Sequence, residues 1–286
     1  METDGDIQAM DWMVCYSNSG DISILDFLKE KKAQSESTGI YDVFVPLDVQ
    51  RIVIDGQAIE RNRFIAGNYI FLKATNDDIM RLREEPPFDA TLRFLHPAGD
   101  PLGTILIKDD EIQMMRKTVE RIGSEVEYFV PSSKELLIAD LVCVINGLYA
   151  GVKGFLESVK GHEGGKVIVA LGNVLAVRTP KIPVEDIQLL QLATVPDSPS
   201  GSYTSRAYKK VHTFAEDSRR LLEEKEENGT LSAEKETEAR RLITRFSQLQ
   251  LNGKIRFMHA QAICDLYMAL GETDSEEYQR FKNMLP

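Results

Sequence analysis

The stretch Gly147-Leu148-Tyr149-Ala150-Gly151-Val152-Lys153-Gly154 determines how the middle of this chain folds. It follows the apolar run 141–145, whose composition predicts a β-strand. Glycines at these spacings let a strand turn sharply and reverse, and Tyr149 is placed to pack across the turn. The stretch therefore predicts a strand–turn–strand unit.

Residues 134–194 continue this pattern of short apolar runs and glycine-rich turns, without a helical period. The runs that predict strands lie at 141–145, 154–159, 166–170 and 174–177. The turns between them are Asn146-Gly147, Gly161 to Gly165 and Gly172-Asn173. About 55 residues with four or five short strands predict a small SH3-like β-barrel.

Residues 1–130 alternate between the period of strands and the period of helices. Strand patterns lie at 12–16, 41–46, 49–54, 68–73 and 92–95, and helical patterns at 21–35, 76–85 and 109–122. Asp55-Gly56 is a hairpin-turn signal. Together these patterns predict an α+β sandwich, in which helices pack on a mostly antiparallel sheet.

Residues 203–286 have a helical period throughout. Glycine-containing turns at Asn228-Gly229 and Asn252-Gly253 separate the helices, and Ser232 is placed to cap the second one. Thr273 and Asp274 are placed to cap a short final helix. The short loops predict antiparallel neighbours and hence a helical bundle.

Two polar segments, 129–134 and the proline-containing 195–202, have the composition of linkers. The predicted fold class is thus multi-domain α+β. The predicted divisions are an α+β domain at 1–130, a β-barrel at 134–194, a linker at 195–202 and a helical domain at 203–286.

The net charge of −11 belongs almost entirely to the first domain. Residues 1–130 hold 14 Lys and Arg against 24 Asp and Glu, whereas residues 203–286 hold 14 of each sign. A broad basic face for duplex nucleic acid is therefore excluded. Any nucleic-acid contact of the first domain must be narrow, and its main partner should be a protein.

The remaining composition excludes several other classes. No run of apolar residues is long enough for a membrane span, and the acidic first ten residues do not resemble a secretory signal. Three isolated cysteines and four scattered histidines predict neither a disulfide framework nor a metal site. We expect a cytoplasmic protein without a cofactor.

No residue pattern predicts catalysis. The carboxylate run Asp109-Asp110-Glu111 stands at a predicted helix start, where acidic side chains complement the helix dipole. No convincing nucleophile, base or metal accompanies it, so the chain is not predicted to be an enzyme.

The stretch 147–154 resembles the KOW motif, which has a Gly-Asp before its first strand and then Gly-Pro-Phe-Ala-Gly-x-x-Gly. The matching residues are Asp140, Gly147, Ala150, Gly151 and Gly154, whereas Ala139 replaces the first glycine, Leu148 the proline and Tyr149 the phenylalanine. The alternative is a glycine-rich turn of any other SH3-like barrel.

The order of the chain resembles the NusG family of transcription elongation and antitermination factors, whose N-terminal (NGN) domain precedes a KOW barrel. Trp12-Met13-Val14-Cys15 followed by Ser19-Gly20 fits the start of that domain. Ala66-Gly67-Asn68-Tyr69-Ile70-Phe71-Leu72 fits the family's Phe-Pro-Gly-Tyr-Val-Phe-Val strand. The resemblance covers residues 11–192 and is strongest to the specialised RfaH- and UpxY-like branch.

The resemblance implies that the N-terminal domain binds the clamp helices of RNA polymerase through an apolar patch beside the Tyr-containing strand. Tyr69 keeps the family position, and Ala66 stands where the family has a second aromatic residue. Tyr16, Phe64 and Ile65 complete the expected patch. The alternative for Tyr69 and Phe71 is plain core packing, which we favour for Phe71.

The resemblance also implies contacts beyond the polymerase. The candidates for limited contact with non-template DNA are Arg61, Arg63 and Arg93. The alternative is that these three arginines are solvated and do not contact DNA. In the family the KOW barrel binds a small-subunit ribosomal protein or the termination factor Rho. The family's Phe-Gly-Arg loop falls at Leu171-Gly172-Asn173, where Leu171 keeps the apolar tip or belongs to the barrel core.

The helical domain has no counterpart in that two-domain pattern. Its basic residues form either a basic face or a solvated surface, and they include Lys209, Lys210, Arg219, Arg220, Arg240, Arg241, Arg245 and Arg256. The expected function is modulation of transcription elongation by a polymerase-bound factor. The alternative is a ribosome- or RNA-associated KOW protein with accessory domains.

Overall fold

A computed structural model describes residues 11–18, 23–34, 40–54, 57–65, 67–75, 77–78, 81, 84, 92–97, 100, 103–123, 126–158, 164–195 and 202–286. The chain has a mixed α+β fold with antiparallel sheets and C-terminal helices. It divides into two compact units, one of Met1–Val130 with Ala170–Arg178 and one of Pro131–Val169 with Thr179–Pro286. The three-domain division stays a prediction.

The N-terminal unit is built on a central antiparallel sheet. Its elements are β1 (Trp12–Ser17), α1 (Ile24–Ala33), β2 (Ile40–Phe44), β3 (Leu47–Ile54), β4 (Gln57–Phe64), β5 (Tyr69–Ala74), β6 (Leu92–Phe94), β7 (Leu106–Ile107), α2 (Asp109–Ile122) and β8 (Tyr128–Phe129). The sheet order is β2-β5-β1-β6, and β7 also pairs with β1. Strands β3 and β4 form a separate two-stranded hairpin.

Successive side chains of a strand point to opposite faces of the sheet, and in the central sheet both faces are buried. On one face Met13, Cys15 and Leu72 pack with Ile24 and Leu28 of helix α1. On the other face Trp12 and Phe71 are fully buried, and helix α2 places Arg116 over the Trp12 ring at 5.0 Å. The predicted α+β sheet with packed helices is thus observed in this unit.

The second unit combines short strands with helices. Its elements are α3 (Ser133–Leu137), β9 (Leu141–Val144), β10 (Lys153–Ser158), β11 (Gly165–Leu171), β13 (Ile187–Gln191), α4 (Ser205–Asn228), α5 (Ala233–Phe246), α6 (Gly253–Leu270) and α7 (Glu276–Lys282). The strand order β13-β9-β10-β11 is antiparallel. Strand β12 (Leu175–Arg178) belongs to the N-terminal unit, where it pairs with β8.

The predicted linker at 129–134 contains the boundary between the two compact units, which falls between Val130 and Pro131. Its ends belong to regular elements, since Phe129 ends a strand that pairs with Ala176 and Ser133 begins helix α3. The expectation that residues 134–194 lack a helix is wrong, because α3 and a 3₁₀ turn at Val184–Asp186 lie in that range.

The two ends of the second predicted linker, at 195–202, are hydrogen-bonded to each other. The backbone N–H of Val195 donates to the carbonyl of Ser202 at 2.8 Å, and Thr194 forms a β-bridge with Tyr203. Residues 196–201 lie outside the described residues, as do Ser19-Gly20, Asp55-Gly56 and most of the predicted helix 76–85.

The helix boundaries of the C-terminal part follow the capping signals closely. Ser232 accepts from the backbone N–H of Lys235, and Gly229 ends α4 in the left-handed conformation. The predicted cap of the last helix is wrong, because Ser275 rather than Thr273 or Asp274 accepts from the N–H of Tyr278. Helix α6 is the most buried of the four, and it packs against α4, α5 and α7.

Candidate protein-binding surface of the N-terminal unit

Three predicted site residues lie in one row across the central sheet. Tyr16 on β1 is directly opposite Tyr69 on β5 and directly opposite Arg93 on β6. Residues opposite each other in antiparallel strands project from the same face of the sheet. The fold therefore brings together side chains that are far apart in the sequence.

The row stands at the end of the sheet and is partly open. Tyr16 and Tyr69 are half-buried, and Arg93 is exposed. The next pair inward, Val14 with Phe71, is fully buried. The core position favoured for Phe71 is thus observed, whereas Tyr69 lies at the boundary between the core and solvent.

The turn before β5 holds Tyr69 in place. Asn68 donates from its backbone N–H to the carbonyl of Ile65 at 3.0 Å and from Nδ2 to the carbonyl of Ser17 at 3.1 Å. Its own carbonyl accepts from the N–H of Ser17 at 3.0 Å. Asn68 has a φ of 48°, a left-handed value that asparagine tolerates better than most residues. The turn is therefore attached to the end of β1.

A cleft of about 520 Å³ adjoins this turn. Its walls mix apolar, polar and charged side chains, namely Asp48, Arg63, Phe64, Ile65, Asn68, Val126, Glu127 and Tyr128. Two members of the predicted patch, Phe64 and Ile65, are only 8% exposed. Phe64 packs with the core that contains Met13 and Cys15, because β4 turns its last residue towards the sheet.

The expectation of an exposed apolar patch at these two positions is therefore corrected. Phe64 and Ile65 form the cleft wall, and the half-buried Tyr16 and Tyr69 are the aromatic side chains of this end of the sheet. Ala66, the remaining member of the predicted patch, lies outside the described residues.

The charges of the cleft are paired across the β3–β4 hairpin. Arg63 donates from Nε and Nη2 to Asp48 Oδ2 at 3.0 and 2.8 Å. Both side chains are solvent-exposed, so this pair adds little stability. Burial, and then the nearby negative charge of Asp48, raise the pKa of Tyr128 to about 12, so its hydroxyl stays protonated at neutral pH. The cleft thus presents a neutral phenol beside an ion pair.

The three predicted DNA-contact residues are not equivalent. Arg63 is paired with Asp48, and the side chain of Arg61 lies outside the described residues. Arg93 is exposed and donates from Nη1 to the carbonyl of Leu92 at 3.0 Å. The described arginines therefore do not form a continuous basic strip.

A partly buried charge network lies at the opposite end of the same sheet face. Trp12 Nε1 and Lys73 Nζ both donate to Asp109 Oδ1, at 2.7 and 2.8 Å. Burial alone would raise the pKa of Asp109, but the hydrogen bonds from Lys73 and Trp12 outweigh it and hold that pKa below its usual value. The carboxylate at the helix start thus also joins α2 to the sheet, which sequence reasoning missed because the three residues are distant in the chain.

Glu111, the last residue of the carboxylate run, caps the start of helix α2. Glu111 accepts from the backbone N–H of Lys108 at 3.1 Å, one residue before α2 begins. Arg116 on the same helix donates to Asp42 at 2.7 Å and to the carbonyl of Val43 at 2.9 Å. These bonds fix helix α2 on the sheet.

The glycine-rich stretch of the second unit forms the turn that the sequence predicts. Gly147 and Gly151 have φ values of +73° and 83°, which side chains rarely adopt. The N–H of Ala150 donates to the carbonyl of Gly147 at 3.1 Å, and Tyr149 is 9% exposed across the turn. Leu171 is fully buried, so it belongs to the core and not to an exposed apolar tip.

The helices cover one edge of the strands in the second unit. Gln188 of β13 donates from Nε2 to the carbonyl of Thr244 in helix α5 at 2.9 Å. The N–H of Gln250 donates to the carbonyl of Leu190 at 3.0 Å, and Gln191 forms a parallel bridge with Gln250. The edge of β13 is thus already hydrogen-bonded within the chain.

The described residues contain no group of three or more His, Cys, Asp or Glu side chains arranged to hold a metal ion. No described helix is long and apolar enough to cross a membrane. All three cysteines are free, and burial raises the pKa of the Cys264 thiol to about 11, so that thiol is protonated at neutral pH.

No protein-family model matches the chain, and a search of curated proteins gives no match. The geometry itself offers a half-buried aromatic pair, an adjoining cleft and a rigidly held sheet.

Proposed function

We propose that this chain is a NusG-like transcription factor whose N-terminal unit binds RNA polymerase and modulates elongation. The observation that carries the proposal is the cross-strand pair of Tyr16 and Tyr69 beside the cleft at the end of the sheet. Tyrosines that are half-buried bury a large area on binding at low cost in conformational entropy, which suits them as interface anchors.

The proposal also assigns a fold type to each part of the chain. The N-terminal sheet with helices on both faces is assigned as an NGN-like sandwich. The strands β9, β10, β11 and β13 are then the KOW-type SH3-like part, and α4 to α7 are an added helical domain. The positions of Gly147, Tyr149 and Gly151 in a tight, partly buried turn support the KOW assignment. The specialised antiterminator branch and a cytoplasmic location belong to the same proposal.

The proposal assigns the KOW-type part a protein partner, a small-subunit ribosomal protein or Rho. Because β13 is hydrogen-bonded to Gln250 and near Thr244, a partner that adds a strand must use another edge or displace the helices. Contact with non-template DNA is limited to what Arg93 and its neighbours can reach.

The test is retention of purified RNA polymerase core enzyme by the immobilised full-length chain. We expect the double substitution Tyr16→Ala with Tyr69→Ala to weaken retention by about tenfold or more, since central aromatic residues commonly contribute over about 1 kcal/mol each. Tyr208→Ala is the matched control, because Tyr208 is 53% exposed and lies in the second unit. Ile65→Asp is unsuitable as a probe, since Ile65 is buried.

Circular dichroism must first show that the double variant is folded. Absence of retention by the native chain, or equal retention by the folded double variant, would contradict the proposal. Salt-dependent binding to RNA without retention of polymerase would favour the alternative, an RNA- or ribosome-associated KOW protein.

A further inference from the structure

The cleft of about 520 Å³ at the end of the N-terminal sheet has an excess of negative charge. Its described lining contains two carboxylates, Asp48 and Glu127, and one cation, Arg63. Two negative charges against one positive charge leave a net charge of −1. Because Arg63 is paired with Asp48, the carboxylate that lacks a compensating cation is Glu127.

The polar groups of this cleft are mostly acceptors that a ligand can use. Glu127 is exposed, and no residue in the described part of the chain donates to its side chain. Both bonds from Arg63 end on Oδ2 of Asp48, which leaves Oδ1 as an acceptor. Asn68 donates from Nδ2 to the carbonyl of Ser17, which leaves its own Oδ1 as a further acceptor. Three side chains of the lining thus offer oxygen acceptors.

The ion pair with Arg63 does not cancel the negative potential inside the cleft. After burial, the charge of Asp48 is the second cause that raises the pKa of Tyr128 to about 12. The potential that opposes a negative charge at this hydroxyl stabilises a positive charge beside it. The wider surroundings have the same sign, because residues 1–130 hold 24 Asp and Glu against 14 Lys and Arg. The cleft therefore favours a cationic ligand.

The lining indicates a guanidinium group as that cation. A guanidinium is planar and has five N–H donors in a fixed geometry, which suits acceptors spread over Asp48, Asn68 and Glu127. Its flat face also suits the half-buried ring of Tyr128. A metal ion instead needs several ligands close together, and the residues that the structure describes hold no such group of His, Cys, Asp or Glu.

The position of the cleft suits a side chain inserted by a partner protein. It opens to solvent beside the exposed Glu127 and Arg63, and its volume accommodates an arginine together with parts of its neighbours. Asn68, which precedes Tyr69, forms part of its wall. A protein that covers the half-buried Tyr69 therefore reaches the cleft as well.

We propose that this cleft binds an arginine side chain of a partner protein, with the guanidinium beside Glu127 and Asp48 and against the ring of Tyr128. The inference goes beyond the proposed function, because it assigns the side chain that the surface recognises and does not require the partner to be RNA polymerase.

The experiment is an NMR titration of the full-length chain, labelled with carbon-13 in its tyrosine rings, with the peptide acetyl-Gly-Gly-Arg-Gly-Gly-amide. Loss of signals in Tyr128→Phe identifies the ring of Tyr128. These signals should shift saturably with the arginine peptide. The same peptide with citrulline in place of arginine should bind about tenfold more weakly, because citrulline keeps the shape of arginine and lacks its charge.

A substitution at Glu127 tests the assigned carboxylate. Glu127→Gln keeps the size of the exposed side chain and removes its charge, so it should weaken binding of the arginine peptide by about fivefold. The matched control is Glu30→Gln, since Glu30 is an exposed carboxylate of helix α1 in the same unit and does not line the cleft. The control should bind like the native chain.

The proposal is overturned if the Tyr128 signals of the native chain do not shift with the arginine peptide, if the citrulline peptide binds as tightly, or if Glu127→Gln leaves binding unchanged. It is also overturned if free L-arginine binds more tightly than the peptide, because the cleft would then be a site for a small molecule. No polymerase enters this titration, so its failure is distinguishable from failure of the proposed function.

Discussion

Gly67 lies against the ring of Tyr69, two residues later in the same turn. A Cβ atom at position 67 would stand 2.5 Å from Cε2 of Tyr69, and Gly67 has a φ of +95°. A side chain at this position is therefore opposed both by the backbone conformation and by the aromatic ring. The turn that presents Tyr69 depends on this glycine.

We predict that Gly67→Ala lowers the free energy of unfolding by about 3 kcal/mol, the sum of left-handed strain and displacement of the ring. Urea denaturation measures the change. Gly271→Ala is the control: Gly271 has a left-handed φ of +72° but open space around it, so the cost should be about 1 kcal/mol. Equal losses for the two variants would show that the Tyr69 ring does not constrain position 67.

Gly154 is required for a different reason: the neighbouring strand β11 lies too close to leave room for a side chain. A Cβ atom there would clash with the carbonyl oxygen of Ile168 and lie 2.8 Å from Cγ1 of Val167. Because a paired backbone cannot move cheaply, Gly154→Ala should cost about 3 kcal/mol in urea denaturation. Gly147→Ala, which meets open space, should cost about 1 kcal/mol through its φ alone. A smaller loss at 154 than at 147 would contradict this account.

Asp140 joins three parts of the second unit. Its Oδ1 accepts from the N–H of Ala193 at 2.9 Å, and its Oδ2 is paired with Lys210 of helix α4. Both side chains of the ion pair are largely buried, so Asp140→Ala strands a donor and a cation. We predict a loss of about 3 kcal/mol in the free energy of unfolding.

Two milder substitutions separate the two bonds of Asp140. Lys210→Met keeps the apolar stem and the bond to Ala193 but leaves the Asp140 carboxylate without its cation, so it should cost about 2 kcal/mol. Asp140→Asn keeps an acceptor for Ala193 but weakens the bond to Lys210, and its cost should be intermediate. If Lys210→Met costs as much as Asp140→Ala, the backbone bond to Ala193 contributes little.

His259 should make stability depend on pH. It is 2% exposed, and its Nε2 lies 3.0 Å from the carbonyl of Phe246. Burial lowers the pKa of His259 and outweighs the opposing effect of that hydrogen bond. Below the unfolded pKa of about 6.5 the unfolded state therefore takes up the proton first. The contribution of His259 to stability is present above that pH and is lost as the pH falls towards the lower folded pKa.

We therefore predict that the urea midpoint of the native chain falls between about pH 7 and pH 5, and that His259→Gln shows a shallower fall. The control is His212→Gln, since the His212 side chain is 53% exposed. The control should keep the native pH dependence. A parallel pH curve for His259→Gln would show that His259 is not the group responsible.

Local signals predicted most of the secondary structure correctly. Acidic residues at 109–111 mark the start of α2, and Ser232 and Gly229 mark helix ends, because capping depends on neighbours within a few residues. The polar segment 129–134 indicated the unit boundary at Val130, but not the pairing of Phe129 with Ala176, because that contact comes from a distant residue.

The candidate surface was predictable only in part. The aromatic strand indicated Tyr69, but local pattern could not show that Phe64 and Ile65 turn inward. Nor could it show that Arg63 pairs with Asp48, since those residues meet only through the register of the β3–β4 hairpin.

The sequence by itself determined the α+β class, the glycine-dependent turns and the helix ends, because each depends on short-range sterics and hydrogen bonding. Only the tertiary structure decided which residues that are distant in the sequence lie close together. Strand register puts Tyr16 between Tyr69 and Arg93, and helix packing puts Lys209 beside Arg245 in one cleft. These relationships depend on contacts between distant parts of the chain, whose partners no local pattern names.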